Sequence, residues 1–127
     1  MKNVFIIFIS LGLILAACTS QAGRGAAEAT ESYITALAEK DKVMITNLSC
    51  KDWEESAILE IDGLLSVEAE VSDLSCDVTG NDSESTLVTC NGSLDLTYND
   101  EIRAIDLSRR IYYLQEEGGQ WRVCQYQ

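Results

Sequence analysis

Hydrophobic residues change their spacing twice along this chain, and each change marks a different kind of element. From Val4 to Ala17 the run "VFIIFISLGLILAA" carries no charge, and Ser10 is its one strongly polar group. From about Ala26 to Leu48 the spacing is helical. Ala29, Tyr33, Ala36, Leu37, Met44 and Leu48 fall on one stripe at i, i+3, i+4 and i+7. Lys40 falls on that stripe too, so "EKDK" predicts a break between a long helix and a short second one. Trp53, Ala57, Ile61, Leu64 and Leu65 then resume the helical period. Asp52 with Glu55 predicts a capping-box variant at the start of that helix, and Gly63 marks its end.

After Ser66 the period becomes two. Val67, Ala69 and Val71 alternate with acids, and Leu74, Cys76 and Val78 continue with the opposite parity. One extra residue near Ser72–Asp73, a β-bulge, accounts for the switch. "TGNDSES" is a turn cluster. Val88, Cys90, Leu94, Leu96 and Tyr98 predict a second strand, and Asn99-Asp100 a tight turn. Ile105, Leu107, Ile111 and Tyr113 predict a third strand with those residues on its apolar face, and "QWRVCQY" a last short one. Helices followed by antiparallel strands predict an α+β fold with about four strands.

The N-terminal run is shorter than the roughly 20 apolar residues of a membrane span, and it fits the core of a secretory signal. It ends in Leu15-Ala16-Ala17-Cys18. This tetrapeptide resembles the lipobox of bacterial lipoproteins. The resemblance implies a signal peptide over residues 1–17, a diacylglyceryl group on the sulfur of Cys18, and a chain held to the membrane on the extracytoplasmic side of the bacterial envelope. The alternative is an ordinary secretory signal that leaves Cys18 as a free thiol. Residues 18–26 read as a flexible tether, small, polar and glycine-containing, and residues 27–127 as one domain.

There are five cysteines, so one has no partner within the chain. If Cys18 is the anchor, four remain, and export exposes them to an oxidising compartment. A turn centred on Ser83 would set Cys76 and Cys90 opposite each other on an antiparallel pair, within disulfide reach. That leaves Cys50 for Cys124, a bond from the helical region to the last strand. Zinc is the competing use of four thiols, but no C-x2-C pair exists.

Charge narrows the partners. The formal net charge is −12, and loss of Lys2 with the signal makes it one unit more negative. That sign argues against nucleic acid, and against lying flat on an anionic membrane. With no histidine, Ser-His-Asp and Cys-His catalysis are excluded. No cofactor motif is present. The oxygen-bearing side chains of Asp77, Asn81, Asp82 and Glu84 lack the order of a calcium loop.

The element order resembles the NTF2-like, or cystatin-like, fold through "YITALAEKD" at 33–41, Cys50 and the closing "IYYLQEEGGQWRVC" at 111–124. The resemblance implies N-terminal helices packed in the hollow of a curved sheet. Some members resemble ketosteroid isomerase, which uses a carboxylate base and a tyrosine donor in an apolar hollow. No spacing among the carboxylates and tyrosines here marks such a pair. Strand parity puts Arg109 on the apolar face, where a charge needs a partner. Either an ion pair or a bulge satisfies it, or it is an anion-binding cation in the hollow flanked by Tyr33 and Tyr113. The expected function is a non-catalytic binding module, for a small ligand or an envelope protein. An NTF2-like enzyme using a carboxylate and a tyrosine is the alternative.

Overall fold

The computed structural model describes residues 21–127, so the signal segment, Cys18 and the first part of the tether lie outside the described residues. The helical period of the N-terminal region produces α1 (Gln21–Glu39) and α2 (Lys42–Asn47). The helix therefore takes in residues 21–26, which the sequence reading assigned to the tether. The break falls where "EKDK" placed it. Lys40 takes a left-handed φ of 60°, and the Asp41 carboxylate accepts the Met44 N–H as the N-cap of α2. The break rotates the stripe: Tyr33, Ala36 and Leu37 are buried, but Ile45 replaces Met44 inside.

α3 spans Glu54–Gly63 after a 3-10 turn at Lys51–Trp53. No side chain caps it, so the expected Asp52–Glu55 box does not form. The 3-10 turn leaves Trp53, not Asp52, at the cap position. Ala57 and Ile61 are buried as their spacing requires, while Leu65 is 60% exposed.

Five strands follow, one more than the sequence predicts: β1 (Glu68–Asn81), β2 (Thr86–Tyr98), β3 (Glu101–Asp106), β4 (Ile111–Glu117) and β5 (Gln120–Tyr126). They form one antiparallel sheet in the order β1-β2-β4-β5, with β3 paired to β2 on the same side as β4. The bulge inferred near Ser72–Asp73 is present. Ser72 pairs with Ser93 and Ser75 with Asn91, so Asp73 and Leu74 stand opposite the single residue Gly92. Asp73 has a φ of 54° and Gly92 a φ of 106°, and a Cβ on Gly92 would lie 2.5 Å from the Ser72 carbonyl oxygen. Only glycine fits there.

The expected third strand is two strands. The Asp106 carboxylate accepts both the N–H and the hydroxyl of Ser108, which curls residues 107–109 into a 3-10 turn. The turn inverts the parity of everything after it. Tyr112 and Leu114 are buried, where the alternation through Ile105 and Leu107 predicted Ile111 and Tyr113. Helices and sheet close on one core that includes Tyr33, Leu37, Ile61, Val88, Leu94, Leu114 and Val123. Its buried hydroxyls are satisfied: Thr30 and Ser49 each donate to the carbonyl four residues earlier.

Both disulfides expected from the sequence are formed. Cys76 and Cys90 are register partners with Cα atoms 4.0 Å apart. The loop after β1 starts at Asp82 and returns at Ser85, half a residue beyond the centre on Ser83. A second bulge, between Val78 and Gly80, absorbs the difference. Cys50 joins Cys124 with a Cα separation of 4.7 Å. Cys124 is itself the extra residue of a bulge, since Tyr113 pairs with Gln125 and Leu114 with Val123. The backbone reinforces this tie: Cys50 N–H donates to the Val123 carbonyl, and Val123 N–H to the Leu48 carbonyl, both at 2.8 Å.

Candidate functional site

Where the three helices meet β4 and β5, the chain gathers its aromatic and charged side chains into one cluster. α1 supplies Tyr33, the 3-10 turn Trp53, and α3 Glu60. Arg110, Tyr112 and Tyr126 come from the sheet side. Glu60 reaches the cluster because it lies three residues after Ala57 and four before Leu64, on the inward face of α3.

The polar atoms of the cluster bond to one another. Trp53 Nε1–H donates to the Tyr33 hydroxyl at 3.0 Å. The Tyr126 hydroxyl donates to Glu60 Oε1 at 2.7 Å, and the Arg110 guanidinium approaches the same oxygen at 3.5 Å. Arg110 also lies over the Tyr126 ring, 4.4 Å from its centroid, a cation–π contact. Tyr33 meets Tyr112 edge-on at 6.4 Å, and Trp53 meets Tyr126 edge-on at 5.8 Å. The Glu60 and Arg110 side chains are each 19% exposed, so the pair sits at the rim of the core.

Burial sets the protonation. Loss of solvation pushes the phenols of Tyr33 and Tyr126 far above their ordinary value, helped by the nearby Glu60 carboxylate. Tyr112 is raised too, mainly by burial, with Arg110 acting against the shift. Burial disfavours the charge on Arg110, but its contacts with Tyr112, Tyr126 and Glu60 outweigh that and hold it cationic. The result is a carboxylate, a guanidinium and neutral phenols facing each other. In a proton-transfer site the carboxylate and the phenol would face a substrate atom.

The predicted pocket residues are not brought together. Tyr33 is in the cluster, but Arg109 is exposed on the 3-10 turn, and Tyr113 lies on the opposite face of β4 from Tyr112. Tyr113 lines a surface pocket of about 300 Å³ beside Cys50 and Cys124. Arg110 occupies the role expected of Arg109, displaced by one residue because the turn reset the count. The contributions of Trp53, Glu60 and Tyr126 are absent from the sequence reading. Two carried a usable signal: Trp53 its place on the helical stripe, and Glu60 its helical phase with Ala57 and Leu64.

Among the described residues, one group of side chains is close enough to hold a metal ion: Cys50, Glu117 and Cys124. Its two sulfurs are joined in a disulfide and offer no thiolate. No helix among the described residues is long and apolar enough to cross a membrane.

No protein-family model matches the sequence, and no curated protein matches it. Solved structures do share its shape. The helical cell shape determining protein Pgp2 from Campylobacter jejuni superposes with a TM-score of 0.51 at 11% identity, over 78% of this chain and 38% of that one. The SEC-C motif containing protein RPA3114 from Rhodopseudomonas palustris gives 0.53 at 11% identity, over 81% and 79%. An NTF2-like family protein from Streptomyces avermitilis gives 0.49 at 12% identity, over 78% and 88%. The chain thus spans little more than a third of the Campylobacter protein. At these identities the likeness is one of fold.

Proposed function

We propose that this chain is an envelope lipoprotein, anchored through Cys18, whose NTF2-like domain is non-catalytic and binds a protein partner. The observation that carries the non-catalytic part is the mutual pairing of Glu60, Tyr126 and Arg110. The carboxylate and hydroxyl that an isomerase-type site would aim at a substrate are spent on each other. Tyr33 is likewise engaged by Trp53, and its ring is fully buried. With these groups engaged by one another inside, recognition by the outer surface is favoured over capture of a small molecule in the hollow.

The anchor rests on residues 15–18, "LAAC", and on the two disulfides, which suit an oxidising compartment. Two acyl chains on one sulfur give stable attachment, at about 0.8 kcal/mol per buried CH2. Intact mass spectrometry of the protein extracted from membranes tests the reading. The expected species begins at Cys18, carries a diacylglyceryl group, and lacks the four thiol hydrogens of Cys50, Cys76, Cys90 and Cys124. A membrane species that still begins at Met1, or that reacts as four free thiols, overturns it. Cys18→Ser should release the protein from the membrane fraction.

A further inference from the structure

The sheet has three outer edges among the described residues, and the chain treats them differently. A bare edge offers unpaired N–H and C=O groups to any passing strand. β1 is engaged from α1 at its middle: the Glu31 carboxylate accepts the Cys76 N–H at 2.9 Å. β5 is covered by residues 48–50, whose backbone bonds to Val123 on both sides. Among the described residues β3 pairs with β2 and with no other strand, so its far side is open there.

The open side has a defined hydrogen-bonding register. Asn99 and Asp100 both have positive φ, 49° and 67°, the two-residue turn that makes Tyr98 and Glu101 a hydrogen-bonded pair. Pairs then alternate along β2–β3. Arg103 and Ile105 bond to β2, while Ile102, Ala104 and Asp106 aim their backbone groups outward. The pairing runs from Tyr98–Glu101 to Ser93–Asp106 without a bulge, and β3 contains no proline. Ile102 is 72% exposed, and Tyr98 beside the turn is 58% exposed.

Charge selects the occupant. Asp95, Asp100, Glu101 and Asp106 flank this edge on β2, the turn and β3, with Glu68 and Glu70 one strand farther in on β1, against Arg103 alone on the same strands. Glu70, Asp95 and Ala104 form one row across the sheet. Ser72 and Ser93 hydroxyls hold the Asp95 carboxylate at 2.8 and 2.9 Å. The small side chain of Ala104 leaves Asp95 open to a long cation arriving from the edge, about two strand spacings or 9–10 Å away. A second copy fits poorly. Two β3 edges paired through their outward residues, Ala104 on Ala104 and Ile102 on Asp106, would bring two acidic surfaces together on chains of net charge −12.

We propose that the free edge of β3 accepts an extended, basic segment of a protein partner as an added antiparallel strand. This rests on the binding-module reading and names the partner's chemistry. Main-chain bonds to Ile102, Ala104 and Asp106 supply the affinity, and Lys or Arg side chains over the acidic row supply the selection.

The test uses the whole chain as isolated from cells and a labelled, end-capped peptide alternating Lys and Val. The expected result is binding that weakens with salt and slows amide exchange in residues 101–106. Ala104→Pro removes an outward N–H and no bond to β2, so it should keep the wild-type melting temperature and weaken binding about tenfold. Glu101→Lys, on an exposed side chain of β3 itself, should weaken it as well. Equal binding of the Ala104→Pro chain, of a backbone N-methylated form of the peptide, or of a control peptide alternating Glu and Val overturns the proposal. So does a dimer of the chain that the peptide dissociates. A chain without lipid on Cys18 would sink the anchor reading and leave this result standing. A lipidated chain that ignores the peptide would sink this inference alone.

Discussion

Replacing Cys50 and Cys124 together by Ala should destabilise the protein more than replacing Cys76 and Cys90 together. The two bonds close very different loops, with sequence separations of 74 and 14 residues. In the loop-entropy account the long closure removes about 4.5 kcal/mol of freedom from the unfolded chain, and the short one about 3 kcal/mol. Three of the four sulfurs are buried, so Ala is the neutral replacement; Ser would strand a hydroxyl in the core. The loss of one buried atom per site is similar for both pairs and cancels in the comparison. What differs is the unfolded state. Against a typical net stability of about 5–15 kcal/mol, removal of the long bond leaves a marginal domain. Its melting temperature should fall by about 20–30 °C. Urea unfolding followed by tryptophan fluorescence measures both variants, since Trp53 is packed on Tyr126 and bonded to Tyr33. The slope of free energy against urea should also rise more for the long-loop variant, because its unfolded chain gains more surface. A Cys50/Cys124 variant that loses no more stability than the Cys76/Cys90 variant refutes the reasoning. The backbone bonds between Leu48–Cys50 and Val123 would then hold the helical region to β5 without help.

The cluster yields a second test. A double-mutant cycle of Glu60→Gln and Tyr126→Phe should give a coupling of about 1–2 kcal/mol, the worth of a half-buried phenol–carboxylate bond, and a value near zero would mean that water already satisfies both groups. Gly92→Ala should cost about 3 kcal/mol or more, while Gly63→Ala, whose Cβ meets nothing within 4 Å, should be neutral or stabilise by about 0.4–1 kcal/mol in thermal melts. Stability should decline on the alkaline side. The phenols of Tyr33, Tyr112 and Tyr126 are raised in the folded state above their ordinary value of 10.0, so they stabilise fully below that pH and lose their contribution as pH rises past it. Phenolate absorbance from these rings should grow in step with loss of the fold, and Tyr33→Phe should flatten the decline. On the acid side Asp106, lowered chiefly by its bonds to Ser108, stabilises above the ordinary carboxylate range and loses that contribution as pH falls through its folded value; Asp106→Asn should flatten that limb in acid unfolding curves.

The helical stripe around Tyr33 and Leu37, the break at "EKDK", the bulge before Leu74, the Asn99-Asp100 turn and the facing of Cys76 and Cys90 were all legible in the residues. Each depends on neighbours within a few positions. Side-chain period, left-handed tolerance at a turn and cross-strand counting are set by backbone sterics that act locally. Cys50–Cys124 followed by elimination once the short pair was placed.

The cluster was not legible, and the reason is one turn. Asp106 closing on Ser108 costs the strand three residues, and after it every inward position becomes outward. Arg109 and Tyr113 left the interior on that account, and Arg110 and Tyr112 entered it. Whether Asp106 bonds to its own turn or continues the strand is nearly balanced locally, and the fold decides it, because Leu107 is buried beyond β3 while β4 must still reach the first half of β2. The edges are of the same kind. Glu31 over β1 and residues 48–50 along β5 are contacts between segments 45 and 73 or more residues apart in the chain. Sequence alone determined the helices, the first two strands with their turns, the last strand and the disulfide framework. Only packing decided which charges share the interior and which edge of the sheet is left open.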